Sequence, residues 1–561
     1  MIRSRSRSVV SLVAIAAWVV TIPVGCNLLL GGGYVVGSGD GSTGPDVITG
    51  NDALPTGDGG SDAAGDADAC VTNGQNKAQL ESACTNSTCE PFDNASRNTL
   101  CAEGGTACPP VTPPSDAAPP DTGAAPDTGT GVDGAPADAA PVDAGVSCFA
   151  LTTGPAGGAL PKPFVYATGS TAIQPYMARV AQVLESLSIG TVVYEGAGSC
   201  FGVSGMLSPT TNTLASIAPT ATYYDPALDS NGQVQSGTCV IDDPTQIADL
   251  GVSDVFPTTC DAQLIAAGGL PNNLHDFFGP VQVMELVVPT TSTQTSISTE
   301  AAYMVWGFGA GSGVSPWTDP AFLLQRNASS GTQNMIAATI GLPAADWVDT
   351  PNATSTGVLT GIENVAKDLA IDGGPGSPAN VDKTMGILAS DVADSNRMYL
   401  KPLAFQDLGE SCGWYPDSTQ TSFDKDNVRD GHYPIWGPSH LIAYADANGN
   451  ATNPAVKTLI DSMNGRNQQL NATLDVIQFY ATSHIVPTCA MHVQRTQDGH
   501  DYSPYAPPTS CSCYYDLQAT GQTSCTKCSM DADCQNAPNG ATTCVNVFGI
   551  PPVGYCEPPG M

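Results

Sequence analysis

Apolar periodicity is confined to one stretch of this 561-residue chain, from about Lys162 to about Val486, and only that stretch can bury a sizeable core. Upstream, Gly31–Asp68 is rich in Gly, Asp, Ser and Thr without an apolar repeat, and Pro109–Val146 cycles through Pro, Asp, Ala, Gly and Thr. Such segments cannot offset their ordering entropy with buried surface, so 26–161 reads as a disordered, extended stalk. Between Asp40 and Asp143 it holds 17 acids and 2 bases, −15 of a formal net charge of −35. That acidity argues against nucleic acid and against an anionic membrane surface as partners, since both are held by Lys and Arg. It leaves room for a small anion held by a few local donors.

Arg3, Arg5 and Arg7 precede an apolar run from Val9 to Val24. The run is too short and too close to the start for a membrane span, and 1–25 reads as an export signal. Val24-Gly25-Cys26 resembles the lipobox of bacterial lipoproteins, which implies a diacylglyceryl group on Cys26 and a lipid anchor in the membrane. Asn27, where inner-membrane lipoproteins carry Asp, points to the outer membrane of a Gram-negative envelope. An ordinary signal peptide is the alternative. Nineteen cysteines fit an oxidising compartment. Apart from Cys26 they form even groups: six from Cys70 to Cys148, four from Cys200 to Cys412, and eight from Cys489 to Cys556. Even groups predict pairing within local modules, with connectivity open. A Cys-containing patch at 70–108 and a disulfide-stapled module at 489–561 are expected, and Cys525-x-x-Cys528 reads as structural rather than as zinc or redox chemistry.

Within 162–488, strands alternate with helices, which predicts α/β architecture. Phe164-Val165-Tyr166 is a strand, and Ile173, Met177, Val180, Leu184 and Leu187 make a helical stripe. Thr191–Tyr194, Ile247–Val252, Val281–Val288 and Phe322–Arg326 read as further strands, and the stretch around Cys239 as irregular. Three turns share one order of strand, Gly/Ser/Thr, then helix: Gly169-Ser170-Thr171, Gly198-Ser199 and Ser330-Gly331-Thr332. Each offers backbone N–H groups and a hydroxyl at a helix start, where unpaired donors and the helix dipole favour an anion. Arg326, four residues before Ser330, adds a planar charged fork. Singly, each turn is as well explained by N-capping. Asp254 repels an anion unless the ligand carries a proton. Monohydrogen phosphate carries one and sulfate does not, so an accepting carboxylate selects phosphate. Capping its own turn, or neutralising Arg326, is the alternative.

These motifs resemble the phosphate-binding protein of the bacterial Pst ABC transporter. The resemblance spans about Lys162 to Val486 through Gly169-Ser170-Thr171-Ala172, Tyr194–Ser199, Leu250–Asp254 and Arg326–Thr332. It implies a two-lobed periplasmic-binding-protein fold of type II, with lobe 1 at about 162–289 and 401–486 and lobe 2 at about 290–400. It implies that Thr171, Ala172, Ser199 and Asp254 meet phosphate from one lobe, and Arg326, Ser330, Gly331 and Thr332 from the other. An ABC permease is the implied partner. Ala172 departs from the family's usual Phe, Cys200-Phe201 from a small Ser-Gly pair, and the stretch from Ser199 to Asp254 is longer than usual. No P-loop, nucleophile elbow or metal-ligand spacing is present, so no enzyme activity, cofactor or metal is expected. The expected function is binding of inorganic phosphate for uptake. The alternative is a surface interaction protein that kept the fold and uses its Cys-rich ends for contacts.

Overall fold

Thirteen strands carry the part of the chain that positions the candidate site, and ten of the contacts between them build one mixed sheet. The structure, a computed structural model, describes residues 71, 74–98, 145–348, 351–367, 380–499, 501–537, 540–547 and 553–557. The segment read as an export signal, Cys26 and most of the acidic stalk lie outside the described residues.

The strands are β1 (Phe164–Gly169), β2 (Thr191–Glu195), β3 (Thr220–Leu228), β4 (Val234–Val240), β5 (Leu250–Ser253), β6 (Leu274–Pro289), β7 (Ser296–Ser298), β8 (Leu323–Arg326), β9 (Pro351–Asn352), β10 (Met385–Ala389), β11 (Leu400–Pro402), β12 (Ala404–Gln406) and β13 (Trp436–Tyr444). The sheet order is β4-β3-β2-β1-β5-β13-β6-β10-β8-β9, with β11 also on β6. β1 runs parallel to β2 and β5, and β8 runs parallel to β10 and β9. Strand β6 links the two halves. Its residues Leu274–Val283 face β13, and Met284–Pro289 face β10 and β11. Residues 279–289 are buried without alternation, because both faces of the sheet are covered there.

The helix Gln174–Ser186 joins β1 to β2 as a parallel crossover. Pro175 suits its first turn, and Ile173, Met177, Val180 and Leu184 turn one stripe into the main core. Ser298 caps the helix Thr299–Phe308 by accepting the Ala301 amide, and Trp306 of that helix stacks on Trp347 at 4.8 Å. The helix Gly331–Ile340 ends at Gly341, whose φ of 71° is the left-handed cap a glycine allows.

Four expectations need correction. Residues 220–240 are not irregular. They form the β3–β4 hairpin at the sheet edge, turning through Asn231-Gly232 with Gly232 at φ 79°. The body begins before Lys162. Ser147 bridges Val240, Cys148 is bonded to Cys239, and Leu151 and Leu160 are buried. The described part of the Cys-containing patch, 71 and 74–98, belongs to the body rather than to a stalk. Cys89 is bonded to Cys412, Phe92 is buried against Trp317, and Lys77 meets Asp407 at 2.5 Å. Finally, β11 and β12 pair with β6 and β7, so 401–406 belong with the 290–400 side and the return to the first half comes at β13.

All fifteen described cysteines are disulfide-bonded. Pairing is local in the tail, at Cys489–Cys511, Cys513–Cys525, Cys528–Cys544 and Cys534–Cys556. The sulfurs of Cys528, Cys534 and Cys556 cluster within 4.8 Å, and the last two disulfides account for them. In the earlier groups the local rule fails, since Cys89–Cys412 and Cys148–Cys239 join different groups. Nor is the tail a separate module. Tyr502, Tyr515 and Tyr555 share the main core, and Arg429 is paired with Asp516.

Candidate anion-binding site

The carboxyl ends of parallel strands are where an open α/β sheet presents its loops, and here two sets of ends converge. From the first half, β1 leads to Ser170, β2 to Ser199 and β5 to Asp254. From the second, β8 ends at Arg326 and β10 leads to Asp391. Gly169, at φ 137°, lets β1 and β5 approach, since a Cβ there would lie 1.9 Å from the Val252 carbonyl oxygen.

Asp254 is the centre of the arrangement and is 2% exposed. Its carboxylate accepts the Ser170 hydroxyl at 2.5 and 2.6 Å and the Ser199 hydroxyl at 3.0 Å. The Asp254 amide in turn donates to Ser199 Oγ at 3.1 Å. Burial raises the Asp254 carboxyl above its ordinary value. The two hydroxyls and the charges of Arg326 and His440 oppose that rise without cancelling it.

The other half contributes the N-terminus of Gly331–Ile340. Ser330 and Thr332 are buried, and Gly331 lies directly against the first half. A Cβ on Gly331 would sit 2.2 Å from Ser199 Oγ and 2.7 Å from Asp254 Oδ2. The Cys200 amide also donates to the Ser329 carbonyl at 3.2 Å. Arg326 is 2% exposed. Its Nη1 donates to Ser355 Oγ at 2.6 Å and its Nη2 to the Ala353 carbonyl at 3.3 Å, while Nε has no hydrogen-bond partner among the described residues. Burial lowers its pKa, and the charges of Asp254 and Asp391 work against that.

The structure thus brings Ser199, Asp254 and Gly331 together, with Ser330 and Thr332 buried on either side of Gly331 and Arg326 in electrostatic reach of Asp254. At the first turn it adds Ser170, which was not among the expected site residues and holds Asp254, while Thr171, expected to meet the ligand, is half-buried. The Ala172 amide, expected as a donor to a ligand, donates to Ser170 Oγ at 3.1 Å.

Three further groups lie outside the expected set. Asp391 is buried beside the Arg326 strand, and burial, with the Asp254 charge adding, pushes its carboxyl well above the ordinary range. His440, on β13 opposite Ser253, is buried and bonds Asp276 at 2.7 Å through Nδ1, which raises its pKa against the effect of burial. Asp498 comes from the segment after the expected binding fold. Only its acidity marked it in the sequence.

The Cys200–Cys260 disulfide ties the residue after Ser199 to the end of the short helix that follows Asp254. The site therefore consists of a buried carboxyl, converging hydroxyls, a guanidinium and a helix N-terminus. Such a set can hold a small oxyanion that carries a proton.

No family model matches the sequence, and no curated protein matches it. Among solved structures, the chain is similar to a substrate-binding protein assigned to a phosphate ABC transporter of Clostridium perfringens, solved with bound phosphate. The identity is 12%, over 58% of this chain and 100% of that chain, with a TM-score of 0.37. It is also similar to an ABC-type phosphate transport receptor from Vibrio cholerae, at 15% identity over 58% of this chain and 100% of that chain, TM-score 0.34. A third is PstS from Borrelia burgdorferi, at 11% identity over 58% and 99%, TM-score 0.30. These are distant likenesses, and the ligand is decided by the chain's own side chains.

Proposed function

We propose that this chain is an exported solute-binding protein that closes on inorganic phosphate between two lobes, the two halves of its sheet, for uptake through an ABC permease. Binding and release, not covalent chemistry, is the activity. The observation that carries the reading is Asp254: a buried carboxyl held by two serine hydroxyls, against a helix N-terminus and within reach of Arg326. When ionised, it accepts the proton that distinguishes monohydrogen phosphate from sulfate. In this proposal Thr171, Ala172, Ser330, Gly331 and Thr332 also meet the anion, and closure brings Arg326 onto it. Calorimetric titration with phosphate, sulfate and arsenate tests this directly. Phosphate and arsenate should bind and sulfate should not, whereas equal response to sulfate, or no response, refutes it.

Cys26 carries the lipid anchor in this proposal, holding the protein to the envelope. Cys26→Ser should move it to the soluble fraction, and retention of that variant on membranes after signal processing would refute the anchor.

A second reading is favoured by one observation. Asp254 already takes both serine hydroxyls with Gly331 packed against them, so the turns satisfy one another without an anion. On that reading the protein is a cell-surface interaction protein that kept the fold, and its thermal stability does not respond to phosphate. A binder gains RT ln(1 + [L]/Kd) as phosphate rises.

A further inference from the structure

Past the second half the chain turns back to the site. Asp498 is 4% exposed, and its Oδ2 accepts the Phe256 amide at 2.7 Å and the Thr259 hydroxyl at 2.7 Å. Phe256 lies on the turn that runs from Asp254 into the short helix Pro257–Cys260, and Thr259 lies within that helix. That helix has no side-chain cap from its own Phe256, so the acceptor comes from some 240 residues away in the sequence. Asp498 Oδ1 lies 3.3 Å from where a Cβ on Gly437 of β13 would stand.

The next residue faces the other half. Gly499 has φ 67°, and a Cβ there would lie 2.2 Å from the Ala338 carbonyl oxygen, on the helix that starts at Gly331. Consecutive residues thus grip the Asp254 turn and abut the Gly331 helix. Arg495 fixes the approach, with its guanidinium 4.1 Å from the Trp436 ring centre and Nη2 donating to the Pro434 carbonyl at 3.0 Å. At its far end the same turn is held by Cys260, bonded to Cys200 beside Ser199.

We propose that Asp498 is a positioning residue for Asp254. From outside the two halves it fixes the turn so that the Asp254 carboxylate meets the Ser170 and Ser199 hydroxyls, and it thereby sets the anion selectivity of the site. The selectivity part rests on the phosphate reading. Without this acceptor, the buried Phe256 amide and the half-buried Thr259 hydroxyl lose their partner, and the turn shifts to recover one. Cys260 still tethers one end, so the shift falls on Asp254 rather than on the whole loop.

The test compares Asp498→Ala, Asp498→Asn and a control, Asp225→Ala. Asp225 is a buried carboxylate on β3 that accepts the Ala156 and Gly158 amides of the loop before β1 and the Ala227 amide of its own strand. Two quantities are read: hydrogen–deuterium exchange of peptides covering 250–262 without ligand, and the phosphate-to-sulfate affinity ratio by calorimetry. Asp498→Ala should speed exchange in that segment and lower the ratio about tenfold, the worth of one misplaced hydrogen bond. Asp498→Asn, whose amide oxygen can accept both donors, should restore both. Asp225→Ala should lower the melting temperature and move neither. Unchanged exchange in Asp498→Ala overturns the proposal. So does a lowered melting temperature with an unchanged ratio, because a merely structural role predicts that. If the parent binds no phosphate, the phosphate reading falls with the selectivity part, and exchange still decides whether Asp498 holds the turn.

Discussion

Replacing Gly331 by alanine puts one methyl group where the two halves of the sheet meet. In an isolated helix the change would be favourable by up to about 1 kcal/mol, because glycine is the poorer helix former. Here the new Cβ would lie 2.2 Å from Ser199 Oγ, 2.7 Å from Asp254 Oδ2 and 3.0 Å from Asp254 Cβ. The serine can escape by rotating, but only by giving up its hydrogen bonds to the Asp254 carboxylate and amide. A hydrogen bond to a charged group is worth about 1.5–3 kcal/mol. Subtracting the full helical gain leaves a net cost of about 0.5–2 kcal/mol for the closed arrangement. That cost should appear as a loss of phosphate affinity of about two- to thirtyfold, since a binder must bring these groups together to hold the anion. The assays are calorimetric titration and thermal unfolding with and without phosphate. A partly open free protein would keep or raise its melting temperature while losing affinity. Parent-like affinity together with parent-like melting would refute the reasoning, because the methyl group would then have met nothing.

Three other perturbations address the same site and the buried charges. Arg326→Ala should weaken phosphate binding by about 2–5 kcal/mol, the range for truncating one partner of a buried charge pair, and unchanged affinity would remove Arg326 from the site. Asp254→Asn supplies a donor in place of a charge, so sulfate should compete better. In the parent the same loss should appear as pH falls through the raised Asp254 value and the carboxyl takes its own proton; a ratio independent of both refutes proton reading. Burial pushes Glu185 up to about 9 from an ordinary 4.5. A raised folded value gives stability that is complete below about 4.5 and lost as pH climbs towards 9, with a limiting slope of about 1.4 kcal/mol per pH unit for one group. Glu185→Gln should therefore show a shallower fall in unfolding free energy over that window, and equal slopes would count against it.

Much of this arrangement was legible because it is local. Strand ends, a helix opened by Ser330-Gly331-Thr332 and closed by Gly341, and the stripe from Ile173 to Leu184 all follow from spacing within a dozen residues. The choice between Ser170 and Thr171 was not legible. Two adjacent hydroxyls follow one strand, and which of them faces Asp254 depends on the close packing of β1 against β5 at Gly169. The β3–β4 hairpin did leave a signal, Asn231-Gly232, the dipeptide suited to a tight hairpin turn. The breadth of the body escaped because polar, low-complexity flanks hide short anchors. Phe92, Leu151 and Leu160 sit in short apolar patches whose burial depends on disulfide and strand partners far along the chain. Asp498 could not be assigned for the same reason, since its partners at Phe256 and Thr259 are remote in sequence.

The Cys89–Cys412 bridge spans 323 residues, and Cys148–Cys239 spans 91. If the chain is exported from its N-terminus, as proposed, Cys84 and Cys89 meet an oxidant long before Cys412 arrives, and Cys148 before Cys239. Joining cysteines in order of appearance would use up Cys89 early and leave Cys412 without its partner. The N-terminal patch would then have no covalent hold on the turn at Ser411–Trp414. On that route maturation would be a sorting problem as well as an oxidation, one that thiol–disulfide exchange can solve by undoing early pairs. In an envelope that can oxidise cysteines but not reshuffle them, the tail, with its short-range pairs, would be finished while the front of the molecule stayed mispaired.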